Sequence, residues 1–187
     1  MNRLSAAAAL LLLTACNPPA ADEQAPRVRG GQDVPRASAP LDSPDTEGAG
    51  WARSGTEGRI IYGKPGEPPL FAMACTGQGE EAAIRLERLA PADPEAKGVL
   101  ALIGNKHVAR IFVDAAEVDG SWRWTGTMAL GDPGVEALAG RGPVEATVPG
   151  GGTLVLNPSP MPATLIARCE ARLPQAEAGP DLPEARE

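Results

Sequence analysis

A chain of 187 residues is long enough for one globular domain with accessory segments. Its formal net charge of −7 supplies no basic footprint of the kind nucleic-acid binding requires, so no nucleic-acid partner is expected. Aromatic residues make up only 3%, while 22 glycines and 20 prolines exceed ordinary usage, which implies many turns together with segments that cannot build a core.

One positive side chain, Arg3, precedes an apolar run from Leu4 to Leu13. A run of about ten residues is well short of the roughly 20 that span a bilayer. It fits the apolar region of a secretory signal. The run ends in Leu13-Thr14-Ala15-Cys16, which resembles the lipobox of bacterial lipoproteins, with a small residue before the cysteine and Leu three before it. The resemblance implies removal of residues 1–15, a diacylglyceryl group on the Cys16 thiol and acylation of the new amine. Several acyl chains anchor far more firmly than one, since each buried CH₂ contributes about 0.8 kcal/mol. The bland alternative is an ordinary secretory signal with an incidental Cys16. Asn17, not Asp, follows the cysteine. By the same resemblance this implies the outer membrane, with the protein facing the periplasm and its membrane contact made through lipid.

If Cys16 carries lipid, Cys75 and Cys169 remain, an even number in an oxidising compartment. The simplest account is a Cys75–Cys169 disulfide. Two buried free thiols are the alternative. Zinc needs three or four ligands, and two distant cysteines with a lone His107 make a poor set; no metal and no cofactor is expected.

Residues 16–55 read as a lipidated cysteine followed by a disordered linker. Pro18, Pro19, Pro26, Pro35, Pro40 and Pro44 are interleaved with Ala, Gly, Ser and mixed charge, without apolar periodicity. Residues 56–173 read as a β-rich periplasmic domain, and 174–187 as a disordered acidic tail.

Within the domain, short strands are expected at Arg59–Tyr62 and Leu70–Cys75. From Ala82 to Leu89 the pattern alternates, with Ile84 and Leu86 on one face and Arg85 and Glu87 on the other. Val99–Ile103 is nearly all apolar, as a strand covered on both faces would be. Gly104-Asn105 reads as a hairpin turn, Val108–Val113 as the next strand, and Asp119-Gly120 as a strong type I′ signal. Ser121–Leu130 returns, with Trp122 and Trp124 on the same face. One short helix is expected after Asp132, with Pro133 at its first position and Gly140 as a left-handed stop. Val144, Ala146 and Val148 alternate, Gly150-Gly151-Gly152 turns the chain, and Leu154 and Leu156 follow. Pro158, Pro160 and Pro162 forbid a central strand, and Thr164–Cys169 is expected to close the domain as a strand. Eight or nine short strands indicate an antiparallel β-sandwich or small barrel with one short helix.

The later half carries Asp132-Pro133-Gly134-Val135-Glu136-Ala137-Leu138-Ala139, Gly140-Arg141-Gly142-Pro143-Val144, Leu154-Val155-Leu156-Asn157-Pro158 and Ile166-Ala167-Arg168-Cys169-Glu170. In these segments it is similar to uncharacterised envelope proteins of alphaproteobacteria. That resemblance implies a periplasmic setting and a cysteine pair, and no chemistry.

No catalytic set stands out, and the chain is not expected to be an enzyme. His107 belongs at a hairpin tip with no orienting partner in sequence. Asp114, Glu117 and Asp119 lack the spacing of a Ca²⁺ loop and read as a solvated strand end. Glu80 and Glu81 are adjacent, so on a strand they would point to opposite faces. Trp122 and Trp124 are candidates for a stacking platform against a partner, with a core role as the alternative. The functional expectation is a non-enzymatic binding module whose partner is an envelope protein or peptidoglycan. The alternatives are an inhibitor of the lysozyme-inhibitor kind, although that family's Ser-Gly…Tyr and Phe-Trp-x-Lys-Gly segments are absent, and a wall hydrolase.

Overall fold

The computed structural model describes residues 39–172. The signal at 1–15, Cys16, the linker up to residue 38 and the tail at 174–187 lie outside the described residues.

Nine antiparallel strands form one nearly closed, barrel-like sheet. They are β1 (Gly50–Arg53), β2 (Arg59–Gly63), β3 (Phe71–Thr76), β4 (Ala83–Pro91), β5 (Lys97–Gly104), β6 (His107–Val118), β7 (Ser121–Ala129), β8 (Val144–Thr147) and β9 (Thr153–Leu156). Their order across the sheet is β1-β2-β3-β4-β7-β6-β5-β8-β9. Two helices, α1 (Glu136–Ala139) and α2 (Met161–Glu170), complete the architecture.

Alternation drives the sheet. On β4 the side chains of Ile84 and Leu86 are fully buried, while Arg85 faces outward. The inward residues of β2, β3, β5, β8 and β9, among them Tyr62, Met73, Leu100, Ala146 and Leu154, join one contiguous cluster. The interior is therefore packed with side chains, as small barrels are.

The Asp119-Gly120 hairpin forms as its sequence indicates: both residues have positive φ, and Val118 pairs with Ser121. The preceding hairpin slips by one position. Asn105 and Lys106, not Gly104 and Asn105, take the left-handed conformation, and Gly104 pairs with His107. The slip lets the Asn105 carboxamide donate to the Ala137 carbonyl and accept from the Gly142 amide, tying the hairpin tip to α1. This approach explains Gly140. It is not a left-handed stop, because its backbone is extended, and a Cβ there would overlap the Asn105 carboxamide.

Four further expectations fail for identifiable reasons. Val99–Ile103 is covered on one face only: Val99 and Ile103 are 38% and 50% exposed, and Phe112, paired with Val99, is 86% exposed. An apolar run without alternation does not distinguish a covered face from an open one. Glu80 and Glu81 lie in a single 3₁₀ turn, not on a strand. Thr164–Cys169 is helical. Leu165, Ile166 and Cys169 have i, i+1, i+4 spacing, which gives one buried helical face. Pro162 suits the first turn of α2, and the Ser159 hydroxyl accepts from the Met161 amide. Lastly, folding begins before residue 56. β1 pairs with β2, Leu41 donates to the Gly150 carbonyl, and the Ser43 hydroxyl accepts from the Thr153 amide. Pro40 and Pro44 are compatible with this because the bonds are made by their neighbours.

α2 packs on β2, β3 and β4. Its buried Cys169 and Cys75, near the end of β3, form a disulfide pair with Cα atoms 5.5 Å apart and a sequence separation of 94. Replacing both cysteines by alanine is expected to lower the unfolding free energy by about 2–5 kcal/mol. Denaturant unfolding checks this; a midpoint equal to that of the wild type would count against it.

Candidate functional site

The residues singled out in sequence do not converge. Trp122 and Trp124 share a face of β7, but Trp124 is 4% exposed and belongs to the core, so the two indoles form no open platform. Trp51, Tyr62 and Phe71 likewise cluster against the core, with centroids 5.3 and 6.2 Å from Trp51, whereas Phe112 stays exposed. His107 begins β6 on the exposed side of the hairpin turn. Asp114 pairs with Lys97 at 2.8 Å, Glu117 is exposed, and Asp119 makes its turn. Cys75 and Cys169 hold α2 against the sheet.

The outer wall carries what the sequence reading missed. On β3 the outward residues are Ala72 and Ala74, both buried although they face away from the core. In register, Arg59 of β2 lies opposite Ala74 and so does Arg85 of β4; Glu87 lies opposite Ala72. A floor of methyl groups leaves room for long side chains to cross β3. Arg59 reaches over it to Glu87 at 2.6 Å, and Arg85 meets the other carboxylate oxygen at 3.1 Å. About a fifth of each partner's side chain in the Arg59–Glu87 pair stays exposed, so the pair is partly desolvated and less screened than a fully exposed pair.

Two outer grooves meet at this pair. One, of about 540 Å³, lies between the β1–β2 turn and α2 and includes Arg53, Ser54, Arg59, Thr164 and Arg168. The other, of about 530 Å³, crosses the faces of β4, β7 and β6 and includes Arg59, Arg85, Glu87, Arg123 and Thr125. Thr56 and Arg59 line both, and we call the two adjoining grooves the trough. The β1–β2 turn keeps its shape through Gly58 at φ 70° and through the Ser54 hydroxyl accepting from the Thr56 amide. The Arg172 guanidinium lies beside Gly58.

A different arginine faces inward. Arg88 follows Ile84 and Leu86 at the same parity and is 3% exposed. It donates to the Leu70 carbonyl at 3.0 Å and to the Gly151 carbonyl at 2.9 Å, which laces one mouth of the barrel from the start of β3 to the β8–β9 turn. Gly151 is required there because a Cβ would press into Val148 and Ala90. The Arg88 Nε and the indole N–H of Trp124, its partner across β4 and β7, have no acceptor among the described residues. Burial pushes the Arg88 guanidinium down to about 10, so it stays charged at neutral pH. The signal for it was present in sequence: extending the Ile84/Leu86 alternation by two residues puts Arg88 inside.

Truncating Arg88 to alanine is expected to cost about 2–4 kcal/mol, from the cavity and from the orphaned Gly151 carbonyl. Arg88→Met keeps the volume and removes a buried charge, so it is expected to cost clearly less. Equal losses in thermal unfolding would contradict that division. No protein-family model, curated protein or solved structure matches this chain.

Proposed function

We propose that the chain is a lipid-anchored, non-enzymatic binding module of the bacterial envelope, held at the outer membrane by Cys16 and facing the periplasm. The observation that carries the binding half of this reading is the filled interior. Leu100, Leu102, Ile84, Leu86 and Leu154 meet inside the barrel, one mouth is laced by Arg88, and α2 is tied to the sheet by the disulfide. A ligand is therefore taken on the outer surface, as rigid scaffolds present surfaces to partners, and the trough is a concavity there that gathers charged side chains. The anchor half rests on Leu13-Thr14-Ala15-Cys16 and is supported by a cysteine pair of the kind that persists in oxidising compartments.

Membrane fractionation with mass spectrometry of non-reduced peptides tests this. The expected mature chain starts at an acylated Cys16, pellets with membranes and contains linked Cys75 and Cys169 peptides. Cys16→Ser is expected to move the protein to the soluble fraction. An intact Met1 start without lipid, or unchanged fractionation of Cys16→Ser, would overturn the proposal.

A further inference from the structure

From the distribution of charge along the trough, we infer that it is a binding site for a ligand carrying at least two phosphate groups. The inference rests on the reading that ligands are taken on the outer wall, and it names what they are.

The chain has 24 acidic and only 17 basic side chains, yet Arg53, Arg59, Arg85, Arg123 and Arg168 line these two grooves against the carboxylates of Glu57, Glu87 and Asp119, which leaves the lining net positive. Like charges repel, and a net-acidic chain would disperse its cations among its carboxylates unless something else balanced them. Part of the cluster is balanced internally. Glu87 takes Arg59 and Arg85 together. No carboxylate among the described residues pairs with Arg53, Arg123 or Arg168. The unpaired guanidiniums are divided, with Arg53 and Arg168 in the groove beside α2 and Arg123 in the groove across β7. The internally paired Arg59 stands between them.

Donor counting selects the chemistry. Each guanidinium presents five N–H donors in a planar fork. A carboxylate offers two oxygens and one negative charge. A phosphate offers up to three terminal oxygens and as many as about two charges, and it matches the arginine fork in two-point contacts. Two separated cationic grooves call for two such groups on one ligand. The hydroxyl of Ser54 flanks one groove and that of Thr125 the other, and each has a proton able to bond a phosphate oxygen. The same chemistry has two sources, a lipid headgroup with two phosphates or a soluble diphosphate.

The test uses the full chain carrying Cys16→Ser, so that no acyl group holds it to lipid. Pyrophosphate and citrate are titrated calorimetrically, and co-sedimentation is measured with vesicles of phosphatidylcholine alone or with added cardiolipin. Pyrophosphate is expected to bind, and affinity is expected to fall about tenfold or more in Arg53→Gln/Arg168→Gln and in Arg123→Gln. Arg110→Gln, on the outer face of β6 away from the trough, is expected to leave it unchanged. Sedimentation with cardiolipin vesicles only, lost in the same variants, assigns the lipid source; pyrophosphate binding without sedimentation assigns the soluble one. Citrate binding as tight as pyrophosphate, absence of any binding, or affinities indifferent to the trough variants would overturn the inference. The anchor is already removed in this experiment, so either result leaves the placement at the membrane to its own test.

Discussion

The side chain of Asn157 carries the constraint on which the fold depends. Nine strands leave two edges, β1 and β9, and no backbone ladder joins them. Open edges invite pairing with other chains. Here the seam is sewn by side chains. The Asn157 carboxamide donates to the Thr46 and Ala49 carbonyls ahead of β1, and the Asn157 amide donates to the Tyr62 hydroxyl, which itself donates to the Val155 carbonyl of β9. Both ends of this network are half-buried or deeper, where an unmade bond is costly. Trp51 packs at a tilt against Tyr62 and edge-on to Phe71 beside it, so half of the chain's six aromatic residues gather where the ladder is missing.

Closure at the seam determines what the rest of the molecule is able to do. With the sheet curled, inward residues meet and fill the barrel; only the mouths remain. Arg88 laces one mouth through two carbonyls, and α2, with its buried Leu165, Ile166 and Cys169, packs on β2, β3 and β4. The same curvature sets the outer wall. Arg59 and Glu87 meet only because β2 and β4 are held on either side of the alanines of β3, and Arg59 so placed lines both grooves of the trough.

Local chemistry made much of the fold legible in sequence. The Asp119-Gly120 turn, the alternation through Ile84 and Leu86 and the Asp132-capped turn are each fixed by neighbours a few residues away; the Asp132 carboxylate accepts from the Gly134 amide. What was not legible is non-local. β1 was hidden in proline-rich surroundings because its stability comes from pairing with β2 and from the Trp51 rings. The helix α2 reads as a strand in sequence because six apolar-rich residues fit either period until the burial of Leu165, Ile166 and Cys169 is known. The arginines of the trough are separated by as many as 115 positions between Arg53 and Arg168, and no spacing rule brings them together; strand pairing from β1 to β7 places Arg53, Arg59, Arg85 and Arg123, and the packing of α2 on β2 and β3 adds Arg168. The buried Trp124 shows the converse: two indoles at strand spacing say which face they share but not whether that face is wet.

Hydrogen exchange of Asn157→Ala tests the seam most directly. Loss of the carboxamide orphans the Ala49 carbonyl and leaves the Thr46 carbonyl only the Ala49 amide, so the account predicts that amides of β1 and β9 lose protection while those paired between β5 and β6 keep theirs, with a drop in global stability of about 1–3 kcal/mol. Unchanged protection along β1 and β9 would contradict the claim that side chains close this barrel.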